Sequence, residues 1–211
     1  MKIIVDIDNT LWDFAPVLYD YLKETGPGIP PIEKWGAWKF WEGEMSSRTF
    51  YTILRRLHMD QEKFEPYADA SWFLNSLRER GFHILIASHR EKDTYEPTAR
   101  WLRKFNLYFD ELHVLSDKAK LFEGVFGIVD DSPITLAKAA RAGIVATGLL
   151  FPWNEGLGYD LFRSLREILE YIDLMSSRNY REPSRGSVDV QAPSRFINTV
   201  DHKEVSSKDG E

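Results

Sequence analysis

The stretch KIIVDIDNTL, residues 2–11, decides how the rest of the chain is read. From Ile3 to Val5 the residues are apolar and mostly β-branched, a run that reads as a short buried strand. Asp6 and Asp8 follow at its carboxyl end with one residue between them, and strand alternation turns both side chains the same way. Two carboxylates crowded at a sheet edge raise each other's pKa unless a cation joins them, so the pair calls for a bound metal. A strand-closing Asx-turn is the plain alternative, but it would not need two acids and a threonine in the pattern DxDxT. A leader-peptide reading fails at position 6, where acids interrupt the apolar run and no small-residue cleavage site follows.

Outward from this segment, apolar runs enriched in Ile, Val, Leu and Phe recur from His83 to Ala87, Glu111 to Leu115, Phe126 to Val129 and Ile144 to Leu149. Helix-length stretches lie between or after them. Tyr95 to Phe105 carries apolar residues at helical spacing, Ile134 to Ala142 is alanine-rich behind a Ser-Pro start, and Asp160 to Asp173 repeats Leu, Phe and Ile every three to four positions. This alternation predicts an α/β fold with a Rossmann-like parallel sheet. In such sheets ligands bind at the carboxyl ends of strands, so polar residues directly after an apolar run become candidates for chemistry.

One stretch breaks the alternation. Residues 14–69 offer no convincing strand but two helical segments, Ala15 to Lys23 and Ser46 to Leu57, and read as a helical insertion between two parts of a core, 1–13 and 70–174. Its connecting loop, GPGIPPIEKWGAWKFWEG, is rich in glycine, proline and tryptophan, and holds Trp35, Trp38, Phe40 and Trp41. Those rings are either the insertion's own core or a wall for a flat ligand. Residues 175–211 are polar, serine-rich and aperiodic, the composition of a disordered tail.

Three further segments carry polar residues behind apolar runs. HILIAS ends in Ser88, whose hydroxyl can either cap a helix or donate to a phosphate oxygen, and His89 and Arg90 follow it. DKAKLFEG places Lys118 and Lys120 before the next strand, where a lysine would offset clustered negative charge. GIVDDSP ends a strand in Asp130 and Asp131, which with the first segment supply the oxygen-rich, incomplete ligand set that Mg2+ prefers.

The chain of 211 residues can hold one catalytic domain with a modest insertion, and no apolar run approaches the roughly 18 residues of a membrane span. The absence of cysteine removes thiolate nucleophiles and cysteine-ligated zinc and fits a reducing, cytoplasmic setting. A net charge of -6 opposes a nucleic-acid polymer as partner and leaves a small molecule as the expected ligand.

Taken in order, DIDNTL, the strand ending in Ser88, Lys120 and IVDDS resemble the four motifs of the haloacid-dehalogenase (HAD) superfamily of phosphohydrolases, over roughly residues 1 to 174. The resemblance implies that Asp6 attacks phosphorus to form an aspartyl-phosphate, while Asp8 protonates the leaving oxygen and then deprotonates the hydrolytic water. It implies Mg2+ held by Asp6, the Asp8 backbone carbonyl, and Asp131 or Asp130. Lys120, ten positions before Asp130, would hold Asp6 and the phosphoryl oxygens, with Lys118 as the alternative; Thr10, Ser88, His89 and Arg90 would meet phosphate. The insertion is similar to a helical cap that covers the pocket. Within that branch the layout, with a later FPWNEG, resembles the 5'(3')-deoxyribonucleotidases, which implies a deoxynucleoside monophosphate stacked on cap aromatics such as Trp38 and Trp41. A sugar phosphate as substrate, a phosphomutase and a non-catalytic binding module are the competing expectations.

Overall fold

Strand β1 (Lys2–Val5) runs through the middle of a six-stranded sheet of order β3-β2-β1-β4-β5-β6, in a computed structural model that describes residues 1–36 and 40–179. The other strands are β2 (His83–Ser88), β3 (Glu111–Val114), β4 (Val125–Val129), β5 (Val145–Leu149) and β6 (Asp160–Phe162), and every pairing is parallel. Alternation along β1 explains why so short a run can be central. Ile3 and Val5 pack with Ile84, Ile86 and Val129 on one face, while Ile4 packs with Leu85, Ala87 and Ile128 on the other. Each fully buried aliphatic side chain contributes about 1.5–3 kcal/mol, and covering both faces is what parallel sheets require.

Among the described residues six α-helices complete the fold: α1 (Phe14–Thr25), α2 (Ser47–Met59), α3 (Ala70–Glu79), α4 (Tyr95–Lys104), α5 (Pro133–Arg141) and α6 (Leu165–Asn179). Helices α1 and α2 lie between the first strand and α3, where the helical insertion was expected. Ser46 caps α2 by accepting from the Thr49 amide. Helix α3, not anticipated from the sequence, returns the chain to the sheet by burying Phe73, Leu74 and Leu77.

The expected helix from Asp160 to Asp173 is corrected at both ends. Residues Asp160–Phe162 pair with Thr147–Leu149 as an edge strand, and α6 starts at Leu165 and runs to Asn179. The signal for its start is local: Ser164 accepts from the Glu167 amide and donates to the Glu167 carboxylate, which also accepts from the Arg163 amide. Residues 175–179, assigned by sequence to the tail, are therefore helical; the rest of that segment lies outside the described residues. No helix among the described residues is long and apolar enough to cross a membrane.

The order places the switch between chain directions at β1 and β4, so the carboxyl ends of β2, β1 and β4 present Ser88, Asp6 and Asp130 side by side. The ladder continues one step past the strands: the Asp6 amide donates to the Val129 carbonyl, and the Asp130 amide to the Thr147 carbonyl. Gly148 makes room for this. A Cβ there would stand 1.9 Å from the Asp130 carbonyl oxygen, so a side chain at 148 would push the acidic loop off the sheet.

Candidate active site

Asp6, Asp130 and Asp131 are buried, and each offers a carboxylate oxygen within 4.8 Å of the others. Lys118 lies among them, its Nζ 2.7 Å from Asp6 and 2.6 Å from Asp130. Burial alone would push Lys118 down, but Asp130 and Asp6 overcome it and hold the lysine above its ordinary range. Three carboxylates against one ammonium leave excess negative charge. Burial, with Asp130 and Asp8 adding to it against the pull of Lys118, pushes Asp6 up to about 7. Burial with Asp130 and Asp6 likewise raises Asp131 well above the usual carboxylate range. A cluster that resists ionisation unless more positive charge arrives suits a divalent cation.

The oxygens differ in availability. Both Asp130 oxygens are engaged, Oδ2 by Lys118 and Oδ1 by the Ser132 amide at the start of α5. Asp131 Oδ2 accepts from Asn9 Nδ2 at 2.9 Å and from Trp153 Nε1 at 3.1 Å, and Asp131 lines the cleft together with Asp6. Asn9 sits at a φ of 56°, a left-handed conformation that asparagine tolerates better than most residues. Its Oδ1 accepts from the Ala15 amide at the start of α1, so one side chain ties the acidic loop to the first helix. Asn154 holds the same loop from behind, donating to the Asp131 and Leu149 carbonyls.

Asp8 has a different environment. Its Oδ1 accepts from Trp12 Nε1 at 2.9 Å and Arg90 Nη2 at 2.5 Å, and its Oδ2 lies 3.2 Å from both Arg90 Nε and His58 Nε2. Burial opposes ionisation here too, but Arg90 and His58 overcome it and hold Asp8 far below the usual range. Burial and Arg90 in turn push His58 down, against the pull of Asp8.

The sequence-named residues separate on this geometry. Asp6, Asp8, Asp131, Ser88, His89 and Trp41 line one cleft of about 400 Å³. Ser88 Oγ is buried there without a protein partner. Lys120 is exposed, and Lys118 makes the contacts with Asp6 and Asp130. The reason is a 3-10 turn over Lys118–Leu121, capped by Asp117 through the Ala119 amide, which turns position 118 inward. Arg90, expected at phosphate, is fully buried at its side chain and divided among Asp8, Gln61 and Thr98. Thr10 is fully buried and does not line the cleft. Trp38 lies outside the described residues.

Much of the rest of the cleft lining is aromatic. Trp35 stacks on Phe40 with centroids 3.6 Å apart, Trp41 on Phe50 at 4.3 Å, and Tyr51 stands at the rim, more than half exposed. Trp35 and Trp41 thus both pack within the insertion and line the cleft. Sequence reading missed Asn9, His58, Phe50, Tyr51 and Trp153 as lining residues. Trp153 had a local signal, the FPWNEG run; His58 had none, since it lies 50 positions from Asp8.

No protein-family model and no curated protein matches the chain. Solved structures do. A HAD hydrolase of family IA, variant 3, from Entamoeba histolytica aligns with a TM-score of 0.57 and 16% identity over 83% of this chain and 99% of that one. The HAD-hydrolase YfnB of Bacillus subtilis, bound to magnesium, gives 0.52 and 18% over 82% and 98%. CbbY of Rhodobacter sphaeroides, in complex with phosphate, gives 0.54 and 15% over 79% and 95%. At these identities the likeness is one of fold: the protein has the α/β fold of the HAD hydrolases over nearly their whole length.

Proposed function

We propose that this protein is a magnesium-dependent phosphomonoester hydrolase that works through an aspartyl-phosphate on Asp6 and acts on nucleoside 5'-monophosphates, deoxy forms above all. The observation that carries the chemistry is the placement of Asp6 in the cleft floor beside Lys118 and the unpartnered Ser88 Oγ. Ser88 Oγ and Lys118 Nζ would receive phosphoryl oxygens while Asp6 attacks phosphorus, so an ester P–O bond breaks as the Asp6 O–P bond forms. Asp8, which Arg90 and His58 hold far below the usual carboxylate range, would take the acidic proton of the substrate monoanion as it binds and give it to the departing oxygen, then take one from the water that opens the acyl-phosphate. Asp6, Asp131 and the Asp8 backbone carbonyl are the groups that fit Mg2+, with Asp130 held back by Lys118 and the Ser132 amide. The cation would supply charge stabilisation to the transferring phosphoryl group. The YfnB structure holds that metal in the same fold.

The substrate reading rests on the cleft's two sides. The insertion lines the cleft with Phe14, Leu18, Phe40, Trp41, Phe50 and Leu54, with Tyr51 and His58 as its polar groups, a mostly aromatic and aliphatic surface that suits a flat base better than a ring of sugar hydroxyls. The residues of the insertion that make this wall are assigned the role of a cap. Phosphate release with Mg2+ and with EDTA, across deoxy- and ribonucleotides, sugar phosphates and an aryl phosphate, tests both parts. Fastest turnover on deoxynucleotides is expected, and Trp41→Ala should raise KM for nucleotides by roughly 10-fold. A sugar phosphate as best substrate would overturn the nucleotide assignment and keep the chemistry.

The acidic cluster sets a pH dependence for metal binding. In the metal-free fold Asp6 is raised to about 7 from an ordinary 3.8, so the folded state holds a proton that the unfolded state has released. That stabilises the fold less and less as pH rises from the ordinary value through about 7. Mg2+ relieves the ionised cluster, so its gain in Tm should be larger at about pH 8 than at about pH 5.5. Equal gains in the two thermal melts would place the cation elsewhere.

A further inference from the structure

Asp8 is not free to choose how it faces the cleft. Arg90 Nη2 and Trp12 Nε1 both bind Oδ1, at 2.5 and 2.9 Å, which occupies that oxygen. Oδ2 has only longer contacts: it accepts from Arg90 Nε at 3.2 Å, and the buried His58 Nε2 lies 3.2 Å away, within ion-pair distance but outside hydrogen-bond geometry. Trp12 and Arg90 belong to the loops after β1 and β2, whereas His58 comes from the last turn of α2, in the helical insertion. Its ring stacks on Phe14 with centroids 5.6 Å apart and borders the cleft beside Asp8. Gln61, just beyond α2, accepts from Arg90 Nη1, so the same part of the chain also braces the arginine.

We propose that His58 is the positioning residue for Asp8. With Oδ1 held by Trp12 and Arg90, Oδ2 is the oxygen that exchanges protons with substrate, and His58 fixes its direction from the insertion. This rests on the phosphohydrolase reading above. Asp8 Oδ2 passes its proton to the ester oxygen as the P–O bond breaks, and later takes the proton of the water that attacks the Asp6 phosphate. His58 exchanges no proton in either step. Proton transfer is thereby tied to the seating of α2 over the sheet, since a displaced helix withdraws His58 from Oδ2.

The test uses the intact protein with Mg2+ and two monoesters, an alkyl phosphate and 2,4-dinitrophenyl phosphate. The second expels a leaving group that needs no proton, and kcat/KM reads only the steps through ester cleavage. His58→Ala and His58→Asn should lower kcat/KM on the alkyl ester by roughly 10- to 100-fold and on the dinitrophenyl ester by less than about threefold. His58→Gln, which can place an amide nitrogen where Nε2 stood, should recover most of the loss. Equal losses on both esters would overturn the proposal in favour of a packing role. A His58→Gln as slow as His58→Ala, with the leaving-group difference kept, would overturn it in favour of His58 as proton donor. Asp6→Asn runs alongside on both esters: activity there would bring down the reading of the site itself, whatever His58 does.

Discussion

Asp6→Asn is expected to abolish phosphate release, by roughly 10⁴-fold or more, while the protein stays folded. The amide keeps the shape of the side chain but has no nucleophilic oxygen of comparable charge. The fold should tolerate it because the cluster carries one ammonium against three carboxylates, and Lys118 retains Asp130 at 2.6 Å when Asp6 is neutralised. Burial, with Asp130 and Asp8, already disfavours the charged form of Asp6, so metal-free Asp6→Asn should melt no lower than wild type at about pH 8. The two readouts separate chemistry from structure. Loss of turnover with an unchanged or raised Tm supports the nucleophile, whereas turnover near wild type would sink the aspartyl-phosphate mechanism. A lost fold would show that Asp6 supports the acidic loop through its side chain as well as its backbone.

What could be read from the sequence follows from the range over which each feature is determined. Asp6 and Asp130 were legible because a strand's apolar run and the polar residue that ends it are adjacent in the chain, and a parallel sheet brings such ends together. Helices α1 and α2 were legible from their periodicity, and strands β1 to β5 from their apolar runs. The edge strand β6 was not, because Asp160–Phe162 buries neither face fully and its residues also fit a helical repeat. Lys118 was placed second to Lys120 because spacing counts residues and not turns; the Asp117 cap decides which lysine faces inward. Arg90 was assigned to phosphate from its place just behind Ser88 and His89 in the second motif, but a buried carboxylate needs a partner first, and Asp8 takes it. His58 and Gln61 come into play only through the packing of α2 against the sheet's edge loops. No local pattern marks them.

Lys118→Met carries the largest expected effect on the fold. Its side chain is 4% exposed and its ammonium is bonded to two carboxylates that are themselves buried, and methionine would fill the stem's volume without the charge. Removing one partner of a buried ion pair costs about 3–5 kcal/mol, because the charges left behind stay uncompensated. Here the remaining groups can respond in only two ways, by taking up protons or by binding a cation. Urea midpoints should therefore drop most in EDTA at about pH 8, and less with Mg2+ or at about pH 5.5. Turnover should fall even where Mg2+ restores the fold, since the phosphoryl oxygens lose the ammonium that would meet them. Lys120→Met is the control: at an exposed position it should shift stability by less than about 0.5 kcal/mol and leave kcat near wild type. If Lys120→Met silenced the enzyme and Lys118→Met did not, the lysine ten residues before Asp130 would be the catalytic one after all, and the inward turn at Asp117 would not describe the working state.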